Sequence, residues 1–81
     1  MDPRDLREAF AANLRRLRHE KGISQDDLAY GAGINRSYMS KLEKGASYPG
    51  LEIIAKLATV LDVEPAELIE IASRGHSRSN I

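Results

Sequence analysis

Residues 22–45 read GISQDDLAYGAGINRSYMSKLEKG, and the fold turns on this stretch. Ser24 is placed as a helix N-cap, its hydroxyl accepting from an N–H group that has no partner within the helix. Asp27, three residues on, approximates a capping box, with Asp where Glu or Gln is usual. The helix that follows, 25–32, puts Leu28, Ala29 and Ala32 on its inner face. Gly33 stops it, because glycine enters the left-handed region without steric cost. Asn35 caps the next helix, Arg36 to Lys44, with Met39 and Leu42 inward and Gly45 closing it. Two helices joined by so short a turn cross at about 90–120°, so Ala29 has to be small where the second passes over the first. Ile34, Met39 and Leu42 seat that second helix and leave its other face open. Gly31 is a blemish inside the first, costing about 1 kcal/mol relative to alanine.

On the N-terminal side, Asp2 and Pro3 read as an N-cap and a first helical residue. Leu6, Phe10, Leu14 and Leu17 recur as one amphipathic stripe, and Gly22 ends the helix just after Lys21. On the C-terminal side, Ala46–Gly50 reads as a loop around Pro49. Leu51, Ile54, Leu57, Ala58 and Leu61 form a fourth stripe, and Pro65 starts a fifth helix carrying Leu68, Ile69 and Ala72. No segment alternates with period two. The predicted fold is all-α, five short helices in one domain over residues 1–72, with a disordered tail over 73–81.

Composition excludes much. Eighty-one residues allow one domain. The absence of cysteine removes disulfides, thiolate nucleophiles and Cys-based zinc sites. The longest apolar run, near Leu57–Leu61, is far below the ~20 residues of a membrane span, so no membrane partner is expected. No signal peptide opens the chain. His19 and His76 have no set of partners pointing to a triad, and His19–Glu20 lacks the second histidine of a zinc-protease helix. Asp26 and Asp27 are adjacent, hence about 100° apart around a helix, and capping is their plainer role. No catalytic residue, metal site, cofactor or small-molecule ligand is expected, and the chain is read as not an enzyme.

The 22–45 stretch, followed by YPGLEIIAKLATVLDVEPAEL at 48–68, resembles the Cro- and lambda-repressor-like helix-turn-helix proteins, the XRE family. The S-Q-x-x-L-A start, the S-x-x-E-x-G ending of the third helix, the loop proline and the L-x-x-I-A-x-x-L-x-V run carry the likeness over about residues 6–72. It implies a compact five-helix lambda-repressor-like domain with the helix-turn-helix at helices two and three. In such proteins the third helix lies in the DNA major groove and the second crosses the phosphate backbone. Carried onto this chain, the resemblance places Arg36, Ser37, Tyr38, Ser40 and Lys41 at base edges, and Gln25, Lys44 and Ser47 at phosphates. Arg36 has a fork of donors that fits O6 and N7 of guanine, worth about 1–3 kcal/mol of discrimination. The plainer alternatives are a solvated Arg36, a solubilising Lys41 and a Tyr38 packed over the core edge. Tyr30 and Tyr48 read as edge residues, body packed and hydroxyl wet. Arg18 and Glu43 resemble the family's ion pair between first and third helices, the alternative being two independent surface charges.

Twelve basic and twelve acidic residues cancel over the chain, but not locally. Residues 33–48 carry Arg36, Lys41 and Lys44 against Glu43, a net +2. Residues 49–72 carry Lys56 against Glu52, Asp62, Glu64, Glu67 and Glu70, a net −4. The basic side is expected to face phosphate and the acidic helices to face away. With no net charge, nonspecific affinity is expected to be weak, so binding leans on specific contacts and on a homodimer. Leu68, Ile69 and Ile71 cannot all face one core from one short helix, and they are assigned to the dimer surface; alternatively, Ile71 fills a gap against the first helix. The expected function is a sequence-specific regulator of transcription on double-stranded DNA, in the cytoplasm at the nucleoid. Because the chain ends soon after the fifth helix, a stand-alone repressor or a restriction–modification controller is the expected type. The competing reading is a protein-interaction module or antitoxin-like partner on the same fold.

Overall fold

A computed structural model describes residues 2–71, which form α1 (Pro3–Glu20), α2 (Gln25–Ala32), α3 (Arg36–Glu43), α4 (Leu51–Leu61) and α5 (Pro65–Ile69). No strand occurs among the described residues. Ala72, placed on the fifth helix by its spacing, and the tail over 73–81 lie outside them.

The helix ends follow local chemistry. The Asp2 carboxylate accepts the Arg4 N–H at 2.9 Å, the Ser24 hydroxyl accepts the Asp27 N–H at 3.0 Å, and the Asn35 amide oxygen accepts the Tyr38 N–H at 2.8 Å. Asp27 makes no return bond to the Ser24 N–H among the described residues, so half of that capping box forms. One methylene more lets Glu67 reach back to the Glu64 N–H at 3.1 Å, at the start of α5. Gly33 has φ of 72°. Its N–H returns to the Tyr30 carbonyl at 3.1 Å, while the Ile34 N–H returns to Ala29 at 3.0 Å. That pair of bonds satisfies the last carbonyls of α2 and turns the chain into α3. Helix α3 ends at Glu43, one residue short of the predicted Lys44.

Phe10, Leu14 and Leu17 of α1, Leu28 of α2, Met39 and Leu42 of α3, Leu57 and Leu61 of α4 and Leu68 of α5 meet in one core. Helix α1 packs on α3 and α5, α2 packs on α3 and α4, and α4 packs on α5. The Asn13 amide donates to the carbonyls of Leu68 at 3.0 Å and Glu70 at 2.8 Å, tying the end of α5 to the middle of α1.

Several readings of the stripes need correction. Leu51, counted with the inner face of α4, is 86% exposed because it is the first residue of that helix, a turn short of where the core begins at Ile54. Leu6 is exposed for the same reason, near the outer end of α1, whereas Ile69 is exposed because its neighbour Leu68 is the α5 side chain that enters the core. Tyr30 is almost wholly exposed rather than packed at an edge. Leu68 is fully buried among core side chains, so it is unavailable to a dimer surface, and Ile69 and Ile71 alone of that trio remain accessible. Gly31, a propensity cost within α2, also has a role in packing. A Cβ there would meet the two Val60 methyls at 3.1 and 3.2 Å, so its absence lets α2 and α4 approach.

Candidate nucleic-acid interface

The inner side of α3 is anchored through Glu43, the one buried charged residue among the described residues. Arg18 on α1 donates from Nε to Glu43 Oε2 at 2.5 Å and from Nη2 to Oε1 at 3.2 Å. Its Nη1 donates to the Ile23 carbonyl at 3.0 Å, and Arg15 donates to the Glu43 backbone carbonyl. The Arg18 and Glu43 side chains are 13% and 6% exposed, so removing them from water offsets much of their attraction. Their geometry instead fixes how far α3 slides and turns over α1.

Gln25, the first residue of α2, connects this anchor to the start of α3. Its Nε2 donates to Glu43 Oε1 at 3.1 Å, and its Oε1 accepts from Arg36 Nε at 2.8 Å. The Glu43 carboxylate demands a donor, so the amide oxygen is the atom left to face Arg36. Arg36 Nη1 also lies 2.6 Å from Asp26 Oδ1, both side chains being well exposed. The guanidinium is held at the mouth of the turn, with part of its donor fork still open to solvent.

Ser37 and Lys41 are exposed on the outer side of α3, and Ser40 is half-buried. Tyr38 is half-buried against the core, and its hydroxyl donates to the Tyr48 carbonyl at 3.2 Å, which aims the phenol at the loop. The Tyr48 ring in turn stacks under the Arg7 guanidinium at 4.6 Å. Lys44 is exposed just past α3, and Ser47 is half-buried in the loop that follows. The structure therefore joins Gln25 to Arg36 directly, and sets Ser37, Lys41 and Lys44 on or beside one accessible face without bonding them to each other.

Two partners of this face escaped the sequence reading. Asp26 was assigned to capping, although it also meets Arg36 ten residues away through the turn. Arg15 received no role, although its position three residues before Arg18 puts both on the side of α1 that faces α3. That spacing was the available signal.

Two short helices closed by a left-handed glycine, the second anchored on its inner side and polar and basic outside, define a helix-turn-helix DNA-binding domain. The family described as Cro/C1-type HTH DNA-binding domain matches residues 13–72, and the chain belongs to it. An uncharacterized HTH-type transcriptional regulator of Sinorhizobium fredii, y4dJ, is 35% identical over 65 residues, spanning 80% of this chain and 84% of that one. Control protein C.BamHI of Bacillus amyloliquefaciens is 30% identical over 73 residues, spanning 89% of this chain and 90% of its own. The crystal structure of the restriction-modification controller protein C.AhdI from Aeromonas hydrophila superposes with a TM-score of 0.74 at 47% identity, covering 76% of this chain and 94% of that one. The chain's homologues are thus transcriptional regulators, controller proteins among them. No helix among the described residues is long and apolar enough to cross a membrane.

Proposed function

We propose that the chain is a transcriptional regulator of the controller type, acting in the cytoplasm at the nucleoid. It binds a pseudo-palindromic operator as a homodimer, with α3 of each copy in the major groove. The observation that carries this is the exposed Arg36 at the first position of α3, held by Gln25 and Asp26 with donors left open. Arg36, Ser37 and Lys41 reach base edges, with Ser40 and Tyr38 at the margin of the contact. Gln25, Lys44 and Ser47 lie along the phosphates, where the N–H groups and dipole at the start of α2 favour an anion. The likeness to C.AhdI and C.BamHI over most of their lengths supports the controller reading.

The dimer surface is drawn from what the fold leaves uncovered. Ile69 is exposed beside Leu6 and Leu51, around an apolar groove of about 250 Å³ that Phe10, Tyr48 and Pro49 also line, and Ile71 is exposed two residues further on. A second copy seated there completes the proposed dimer, whose two α3 helices have to stand about 34 Å apart, one helical turn, to enter successive major grooves.

Selection from a random duplex library, with sequencing of the bound pool, tests the whole reading. A two-fold symmetric motif with half-sites about one turn apart is expected. Arg36→Ala should relax one base pair per half-site, at about 1–3 kcal/mol, whereas Lys44→Ala should weaken all sequences alike and flatten the salt slope by about one. A motif without symmetry would refute the dimer. No enrichment at low salt would refute autonomous DNA recognition and favour an interaction module.

A further inference from the structure

The pairing of Arg36 with Asp26 carries a consequence for selectivity that rests on Arg36 reading a base. A guanidinium has five N–H donors: one on Nε and two on each Nη. Gln25 Oε1 takes the Nε hydrogen, and Asp26 Oδ1 lies against Nη1 at 2.6 Å. The side-on fork, Nε with Nη2, is therefore occupied at Nε. Nη2, with two hydrogens, has no hydrogen-bond partner among the described residues. That nitrogen is the part of the guanidinium left to meet a base edge.

The carboxylate has a second effect. An unpaired arginine at the start of α3 would be free to swing to the nearest phosphate, a contact that neutralises charge and carries no sequence information. A carboxylate 2.6 Å from Nη1 competes for that guanidinium and repels the phosphate it would reach. Gln25 holds the same side chain from the other side, and Gln25 is itself fixed by Glu43. We infer that Asp26 is a positioning residue for base selectivity: together with Gln25 it leaves Nη2 of Arg36 to base edges and keeps that guanidinium off the phosphate backbone.

The test compares the wild type, Asp26→Asn, Asp27→Asn, Arg36→Ala and the double variant Asp26→Asn/Arg36→Ala. Each is titrated against the duplex selected by the wild type and against a random duplex of equal length, over a range of salt. Thermal melting confirms that each is folded. Asp26→Asn is expected to bind random duplex at least threefold more tightly, and to lose about tenfold in the ratio of selected to random affinity. Its salt slope on random duplex should steepen by about one, the mark of one added phosphate contact. Asp27→Asn removes the same charge from the same helical turn without touching Arg36, and should leave the ratio unchanged. In the Arg36→Ala background, Asp26→Asn should no longer alter the ratio. Equal tightening on both duplexes, or the same effect from Asp27→Asn, would overturn the inference and reduce Asp26 to a bulk charge. If Arg36→Ala retains every base preference, the assignment of Arg36 itself fails. If Arg36→Ala loses a preference while Asp26→Asn keeps its ratio, the role of Asp26 alone fails.

Discussion

Replacing Glu43 with alanine probes how firmly α3 is seated. The substitution deletes the acceptor of two bonds from Arg18 and one from Gln25. Arg18 is left 13% exposed, with the Ile23 carbonyl as its remaining partner. Removing one member of a buried pair costs about 3–5 kcal/mol, because the survivor stays desolvated without compensation. The retained Ile23 bond and the slight exposure place this case at the low end, about 3 kcal/mol. At about 4–8 °C per kcal/mol for a domain of this size, Tm should fall by about 12–24 °C. Replacing both residues with methionine should recover most of that loss, since an apolar pair of similar volume carries no charge to desolvate. Circular dichroism melts of the wild type, Arg18→Ala, Glu43→Ala and the two double variants complete the cycle, with a coupling of about 2 kcal/mol expected. A loss below about 1 kcal/mol, the range of exposed pairs, would refute the anchoring argument. So would a double methionine variant as unstable as Glu43→Ala.

Four other outcomes follow from the packing. Gly31→Ala should destabilise by up to about 1 kcal/mol despite alanine's better helix propensity, because its Cβ crowds Val60; in a Val60→Ala background the same change should stabilise, as chemical denaturation would show. Gly33→Ala has open space around its Cβ but a φ of 72°, so a loss of about 1–2 kcal/mol from backbone strain alone is expected, with Gly33→Asn milder in the same melt. Asn13→Ala frees the Leu68 and Glu70 carbonyls and should cost about 1–2 kcal/mol, while raising hydrogen exchange in α5 before α2. The hydrogen bonds from the Arg4 side chain and backbone hold the Asp2 carboxyl below its ordinary 3.8. Because its folded value is depressed, its contribution is present above 3.8 and is lost as pH falls through the lower folded value, so Asp2→Asn and the wild type should converge in Tm at the acid end of a pH series.

What was legible in the sequence was local chemistry. Ser24, Asn35 and Gly33 announce the ends of two helices because each acts within three or four residues of itself. The stripes identified Phe10, Leu14, Leu28, Met39, Leu42, Leu57 and Leu61 as core, and all are buried. Periodicity records direction around a helix but not depth along it, and Leu51 and Leu6 share a direction with the core while lying past its edge. Leu68 went to the wrong surface for a related reason: a five-residue helix is too short for its stripe to show which apolar side chain points inward. The packing role of Gly31 was missed because its reason sits on α4, in Val60. Among the proposed contact residues, Arg36 was reached through the family pattern. Its partner Asp26 was missed because the two meet only after the chain has turned at Gly33.

The anchoring of α3 also bears on how such a chain diverges. Met39, Leu42 and Glu43 hold the helix from within, through contacts with α1 and the core, while Ser37 and Lys41 stand outside that set. Substitutions at the outer positions leave the seat intact and cost little stability, since surface changes away from buried networks usually stay within about 0.5 kcal/mol. If those outer residues read the operator as proposed, duplicated copies can drift toward new operators one outer residue at a time, each intermediate folded, while the inner set is held by the demand of folding.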